Sequence, residues 1–196
     1  MSKNLLTPEL TARLVDLYAR MEVAYDRVAG ELAFSCAGCP DNCCDSFFLH
    51  HTVLEWSYLW LGLSGLGSDH QARIRRRAEQ YLAGAATAMA RQQRPQIMCP
   101  LNEEGLCALY SHRLMICRMH GVPSAFTLPD GRRQEFPGCF RCQELTAGRE
   151  NTPEVDRTEL YRELAELERE LLTISGRRGP RVKMTIAEMI LAGAPK

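Results

Sequence analysis

The sequence predicts a mainly α protein, a helical domain with irregular cysteine-rich loops and one small β-hairpin. Three observations lead there. Apolar residues recur at helical spacing over several long stretches, two of them opened by the triplet Thr-Pro-Glu. Nine cysteines fall mostly in segments rich in Gly, Pro, Asn and Asp, which regular elements avoid. A single Pro-Asp-Gly-Arg turn has strand-like flanks.

The elements follow in chain order. Thr7-Pro8-Glu9 opens a helix, with Thr as N-cap, Pro at the first helical position and Glu where it favours the dipole. Leu10, Leu14, Leu17, Tyr18, Met21, Tyr25, Val28 and Leu32 make its core stripe, and the helix is expected to end near Ala33. The stretch 36–44 cannot be regular, because Gly38, Pro40, Asp41 and Asn42 are turn formers. A largely buried helix begins near His50 or Thr52 and ends among Gly62, Gly65 and Gly67. Ser68 and Asp69 start a third, expected to run to about Arg94 before Pro95. Arg73, Arg75, Arg76 and Arg77 lie early in it and read as a solvated face with acidic partners such as Glu79 and Asp69. The small residues Ala83 to Ala88 would let another element pack closely.

Beyond Cys99-Pro100, a turn at Asn102-Glu103-Glu104-Gly105 leads to a short strand or turn, and a short helix from Ser111 is expected to carry Cys117. Phe126-Thr127-Leu128 and Gln134-Glu135-Phe136 form the hairpin. Thr152-Pro153-Glu154 repeats the capping device before a helix with Val155, Leu160, Leu164, Leu167, Leu171 and Leu172 on one face, stopped by Gly176. A basic linker from Arg177 to Arg181 and a last short helix from Met184 to Leu191, capped by Thr185, complete the chain. Two units are expected: residues 1–150 as the cysteine-cluster domain, and 151–196 as a helical extension packing on it.

Composition narrows the function. Lys+Arg and Asp+Glu balance at 24 each, so the basic excess of a nucleic-acid binder is missing, and no nucleic-acid partner is expected. No run reaches the roughly 18 apolar residues of a membrane span. The N-terminus lacks the apolar stretch and cleavage site of a secretory signal, which points to the cytoplasm, where thiols stay reduced. A disulfide framework is the alternative, but nine is an odd count.

Reduced thiols in this number point to metal ligation. Thiolates are soft ligands suited to zinc and to iron–sulfur clusters. Cys36 and Cys39 have the two-residue gap that turns both sulfurs onto one centre, as do Cys139 and Cys142. Cys43 and Cys44 are adjacent, and could serve two neighbouring centres or leave one sulfur outside the ligand shell. With Cys99, Cys107 and Cys117, eight of the nine thiols could fill two four-sulfur sites. The Cys-Pro pairs at Cys39 and Cys99 favour iron, as a cluster or ion, over zinc. His50, His51, His112 and His120 lie nearby in sequence; His120 is the best placed to assist, though in a non-ligand role. A thioredoxin-like redox motif would need a βαβ context, and none is visible.

The run Cys36-Ala-Gly-Cys39-Pro-Asp-Asn-Cys43-Cys44, then Cys99-Pro-Leu, Gly105-Leu-Cys107-Ala-Leu-Tyr110, Arg113 and Cys117-Arg118, resembles the YkgJ-type cysteine-cluster family, a zinc- or iron-chelating CxxCxxCC domain. The resemblance spans about half the chain, from Cys36 to Cys142. It implies metal ligation by Cys36, Cys39, Cys43, Cys44, Cys99, Cys107 and Cys117, and carries over less directly to Cys139 and Cys142. Two departures stand out: three residues, not two, separate Cys39 from Cys43, and Leu114 follows Arg113 where the family often has Pro. A similar cysteine domain occurs in the lysine N-methylase of flagellin, which implies a cluster-dependent enzyme acting on a protein as one alternative. The chain shows no Gly-rich strand–loop–helix signature for S-adenosylmethionine, and its cysteine gaps do not suit a radical mechanism. A zinc-stabilised interaction module is the other alternative.

Overall fold

The computed structural model describes residues 5–37, 39, 43–177 and 182–196. Gly38, Pro40, Asp41 and Asn42, and the expected linker from residue 178 to 181, lie outside the described residues. Seven α-helices and five short strands are described: α1 (Pro8–Glu31), α2 (Val53–Ser64), α3 (Ser68–Ala90), β1 (Asn102–Glu103), β2 (Leu106–Cys107), α4 (Met115–Met119), β3 (Ser124–Thr127), β4 (Arg133–Phe136), α5 (Phe140–Thr146), β5 (Val155–Asp156), α6 (Thr158–Ser175) and α7 (Ile186–Ala192). The protein is mainly α.

Local chemistry accounts for most helix ends. The Thr7 hydroxyl accepts from the Leu10 amide at 3.1 Å, with Pro8 behind it. Thr52 caps α2 through the Glu55 amide. Thr185 and Glu188 form a reciprocal capping box on α7. Gly176 ends α6 in the left-handed conformation, φ 64°.

The core is one apolar cluster. The α1 face Leu10, Leu14, Leu17, Met21 and Val28 is buried against α4 and α6, and α2 also packs on α6. Trp56 and Trp60 of α2 both donate their indole N–H to the Met189 carbonyl, at 3.1 and 2.9 Å, which fixes α7 beside α2. α7 packs along α3. The small-residue stretch of α3 is used as expected: Ala85 is buried, and Gly84 lies against Ile97 so closely that a β-carbon would collide with it.

Several expectations need correction. The residues after Thr152-Pro153-Glu154 do not start a helix. Val155 and Asp156 pair in parallel with Ser124 and Ala125 of β3, and α6 begins at Thr158. Unpaired groups on β3 outbid the local cap; the amides of Val155 and Arg157 donate to the Pro123 and Ala125 carbonyls at 2.9 and 2.7 Å. The expected hairpin is present, Ser124 opposite Phe136 and Thr127 opposite Arg133, but β5 extends it to three strands in the order β4-β3-β5. A second hairpin joins β1 and β2. The helix expected from Ser111 starts at Met115, after a 3-10 turn at Tyr110–His112. α3 stops at Ala90, short of Arg94. Of its arginines, Arg75 has the expected partner Glu79 at 3.8 Å, whereas Arg77 reaches Glu103 at 2.6 Å. Among the described residues, no helix is long and apolar enough to cross a membrane.

The fully buried Leu167 joins α6 to this core. Leu167→Ala is expected to lower the unfolding free energy by about 2–5 kcal/mol, read from urea unfolding followed by far-UV circular dichroism.

Candidate metal centre

All nine cysteines are among the described residues, and none is in a disulfide. Eight of them, Cys36, Cys39, Cys43, Cys44, Cys99, Cys107, Cys117 and Cys139, line one cavity of about 920 Å³. The ninth, Cys142, is buried on α5 beside Cys139.

Four stretches of backbone deliver them. The chain leaves α1 through Ala33, whose φ of 51° turns it sharply, and the Cys39 amide donates to the Cys36 carbonyl at 3.1 Å. Cys43 to Asp45 form a 3-10 turn. The Cys99 amide donates to the Cys44 carbonyl at 2.8 Å, and the Ile97 amide to the Asp45 carbonyl at 3.2 Å. Those two bonds join segments far apart in the chain and put Cys44 beside Cys99. The β1–β2 hairpin sets Cys107 opposite Asn102, with Glu104 and Gly105 both at positive φ in its turn. The Cys139 amide donates to the Gly121 carbonyl at 2.9 Å. Gly121, at φ 129°, lies against the Tyr25 hydroxyl with no room for a side chain, so the Cys139 loop sits down on α1.

Cys117 lies on α4, a short helix whose own flanking residue offers no side-chain cap. The cap comes from α2. Glu55, 3% exposed, accepts from the Met115 amide at 2.7 Å and from the Tyr18 hydroxyl at 3.2 Å; its other oxygen accepts from Thr52 at 3.0 Å. Arg118 backs this arrangement, donating to the Ser111 and Arg113 carbonyls at 2.7 and 2.8 Å and pairing with Glu22 at 2.8 Å. Glu55 and Arg118 position the thiol-bearing segment without lining the cavity. Arg118 follows Cys117 in the motif read from the sequence, whereas Glu55 does not stand out there and is distinguished by its burial alone.

Burial governs the thiols. It pushes Cys99 up to about 12; the Leu101 backbone pulls the other way, and the nearby Cys44 and Cys107 add to the rise. Burial first, then Cys44 and Cys36, push Cys43 up to about 11. Cys117 is raised further, by burial and then by Cys99, Cys107 and Cys44. Burial also raises Cys107, against a lowering contribution from the Leu109 backbone. Without a cation these groups are therefore protonated. A bound dication inverts that balance, because the metal stabilises thiolate and the protons leave on binding. Backbone hydrogen bonds to Cys99 and Cys107 from residues two places on favour the thiolate form and suit a metal–thiolate site.

The donor set fits a soft metal or cluster. Among the described residues, no three His, Cys, Asp or Glu side chains are already drawn into a coordination shell. The histidines stand apart from the thiols in their interactions. His120 packs edge-on against Phe48 at 5.1 Å, and Arg157 and Arg94 are the charges near it. His112 stacks on Tyr58 at 4.7 Å. His50 is 1% exposed, lines the cavity, and has no partner for either ring nitrogen. Of the α3 arginines, Arg75 and Arg77 are engaged by acids, Glu79 and Glu103.

Compared with known proteins, the chain matches no family model, no curated protein and no solved structure.

Two predictions follow from this geometry. Glu55→Ala is expected to lower stability by about 1–3 kcal/mol, because it leaves the Met115 amide unpaired in the interior; Glu55→Gln, which keeps an acceptor, should recover most of that loss in urea unfolding. His50 is lowered from 6.5 to about 4, chiefly by burial and then by His51. The unfolded chain therefore takes up this proton before the folded one does. Stability should fall as pH drops from about 6.5 to about 4 and level off below, and His50→Gln should flatten that slope by up to about 3 kcal/mol.

Proposed function

We propose that this chain is a metal-binding cysteine-cluster protein of the cytoplasm. Its thiolates coordinate iron, as an iron–sulfur cluster or a bound ion, with zinc as the alternative metal. The observation that carries the reading is the gathering of eight thiols, from segments more than 100 residues apart, around one cavity. Cys36, Cys39, Cys43, Cys44, Cys99, Cys107, Cys117, Cys139 and Cys142 are the candidate ligands. A four-iron cluster would be held by four of them, and would supply electron transfer or Lewis acidity. The chain itself supplies the apolar shell, the backbone donors to sulfur and the arginines Arg94, Arg113 and Arg141 on the cavity wall. The motif likeness to the YkgJ-type family supports the same reading. A cavity of about 920 Å³ accommodates a multi-atom cluster as well as a single ion.

A second reading draws on that same volume, which lies within the range of small-molecule sites. In it the centre assists an enzyme that modifies a protein or peptide, as the likeness to the cysteine domain of flagellin lysine N-methylase suggests. Arg94, Arg113 and Arg141 would then meet an anionic part of the substrate or cofactor. S-adenosylmethionine retained by the purified protein would favour this reading; the first expects none.

Protein purified without oxygen is expected to be brown, to contain iron and acid-labile sulfide, and to absorb near about 400 nm with bleaching by dithionite. Colourless protein with stoichiometric zinc would move the assignment to the structural metal. Cys99→Ser and Cys117→Ser should each lower both metal content and melting temperature, since ligation and folding are coupled in such sites. Unchanged metal content in both variants would overturn the assignment.

A further inference from the structure

Resting on thiolate metal binding, we infer that the chain builds two four-thiol centres side by side and that adjacent Cys43 and Cys44 belong to different ones. Cys44 joins Cys99, Cys107 and Cys117. Cys43 joins Cys36 and Cys139, with Cys39 or Cys142 as the fourth.

The 3-10 turn at Cys43–Asp45 separates the two neighbours. With three residues per turn, successive side chains point about 120° apart. One sulfur therefore faces each way from a common backbone. On the Cys44 side, the Cys99 amide is bonded to the Cys44 carbonyl, and β1 and β2 bring Cys107 back beside that segment. Burial first, then the thiols Cys99, Cys107 and Cys44, raise Cys117. On the Cys43 side, the neighbours besides Cys44 are Cys36 and Cys139. Burial first, then the thiols Cys36, Cys139, Cys43 and Cys142, raise Tyr25 on α1. The Tyr25 hydroxyl abuts Gly121, whose carbonyl holds the Cys139 amide.

Charge supports the same division. Four thiolates around a dication leave a net charge of about −2, which needs cationic neighbours in a half-buried site. Arg113 and Arg118 act on Cys107, and Arg77 acts on Cys99. Arg149 acts on Cys142. Arg141, between Cys139 and Cys142, lines the cavity with a buried Nη1 that has no partner among the described residues. An unpaired guanidinium N–H beside two thiols is a donor suited to thiolate sulfur.

Zinc alone serves as the probe, loaded anaerobically into the full chain and counted by native mass spectrometry. The parent should hold two ions. Cys43→Ser and Cys44→Ser should each hold one. Cys43→Ser/Cys139→Ser should still hold one, because both changes strike the same centre. Cys43→Ser/Cys44→Ser should hold none. If variants fail to fold, cadmium-113 resonances of the parent decide instead: two tetrathiolate signals are expected. One ion in the parent, or loss of both ions in Cys43→Ser/Cys139→Ser, would overturn the two-centre assignment while leaving thiolate metal binding intact. No zinc at all would remove the proposed function with it.

Discussion

Glu55 sits on α2 with its carboxylate in the interior, holding Tyr18 of α1, Thr52 at the start of its own helix and the first amide of α4. Burial raises its pKa, and the hydrogen bonds from Met115, Thr52 and Tyr18 offset that rise. A carboxylate so placed is costly unless its oxygens are satisfied, and here they are. The consequence is a fixed α4, hence a fixed Cys117. The large helices are thus tied by one residue to the irregular segments that bear the thiols.

The remaining ties are backbone bonds between segments that have little structure of their own. Cys44 to Cys99, Leu101 to Ala108 and Gly121 to Cys139 are such bonds. The first closes a loop of more than 50 residues, and the other two close shorter ones whose ordering cost is smaller. The frame is well packed from Leu6 to Ile190. The cavity side is more open, lined by thiols that burial keeps protonated. Under the proposed function, the helical frame and the thiol-bearing loops are two parts of one arrangement, and metal binding would contribute directly to folding.

Elements set by neighbouring residues were legible in the sequence. Thr7-Pro8, Thr52, Thr185 and Gly176 act within one turn of where they stand, so their residue types announce their roles. The Pro-Asp-Gly turn fixed the hairpin register in the same way. Features decided by distant partners were not legible. Val155 and Asp156 became a strand because β3 had groups to pair, although the local signal spoke for a helix. The cysteines were legible as a set. Which segments meet around the cavity was not, because that depends on backbone bonds such as Cys99 to Cys44 and Cys139 to Gly121. Glu55 carried no motif; its buried place on α2 gives it its role.

The central claim is that sulfur from remote segments forms the inner shell of a bound metal. X-ray absorption at the metal edge of anaerobically purified protein addresses it most directly. The account predicts a shell of sulfur scatterers, at about 2.3 Å for a zinc–thiolate bond, with iron–iron scattering if a cluster is bound. An inner shell of nitrogen or oxygen, or protein without bound metal, would contradict it.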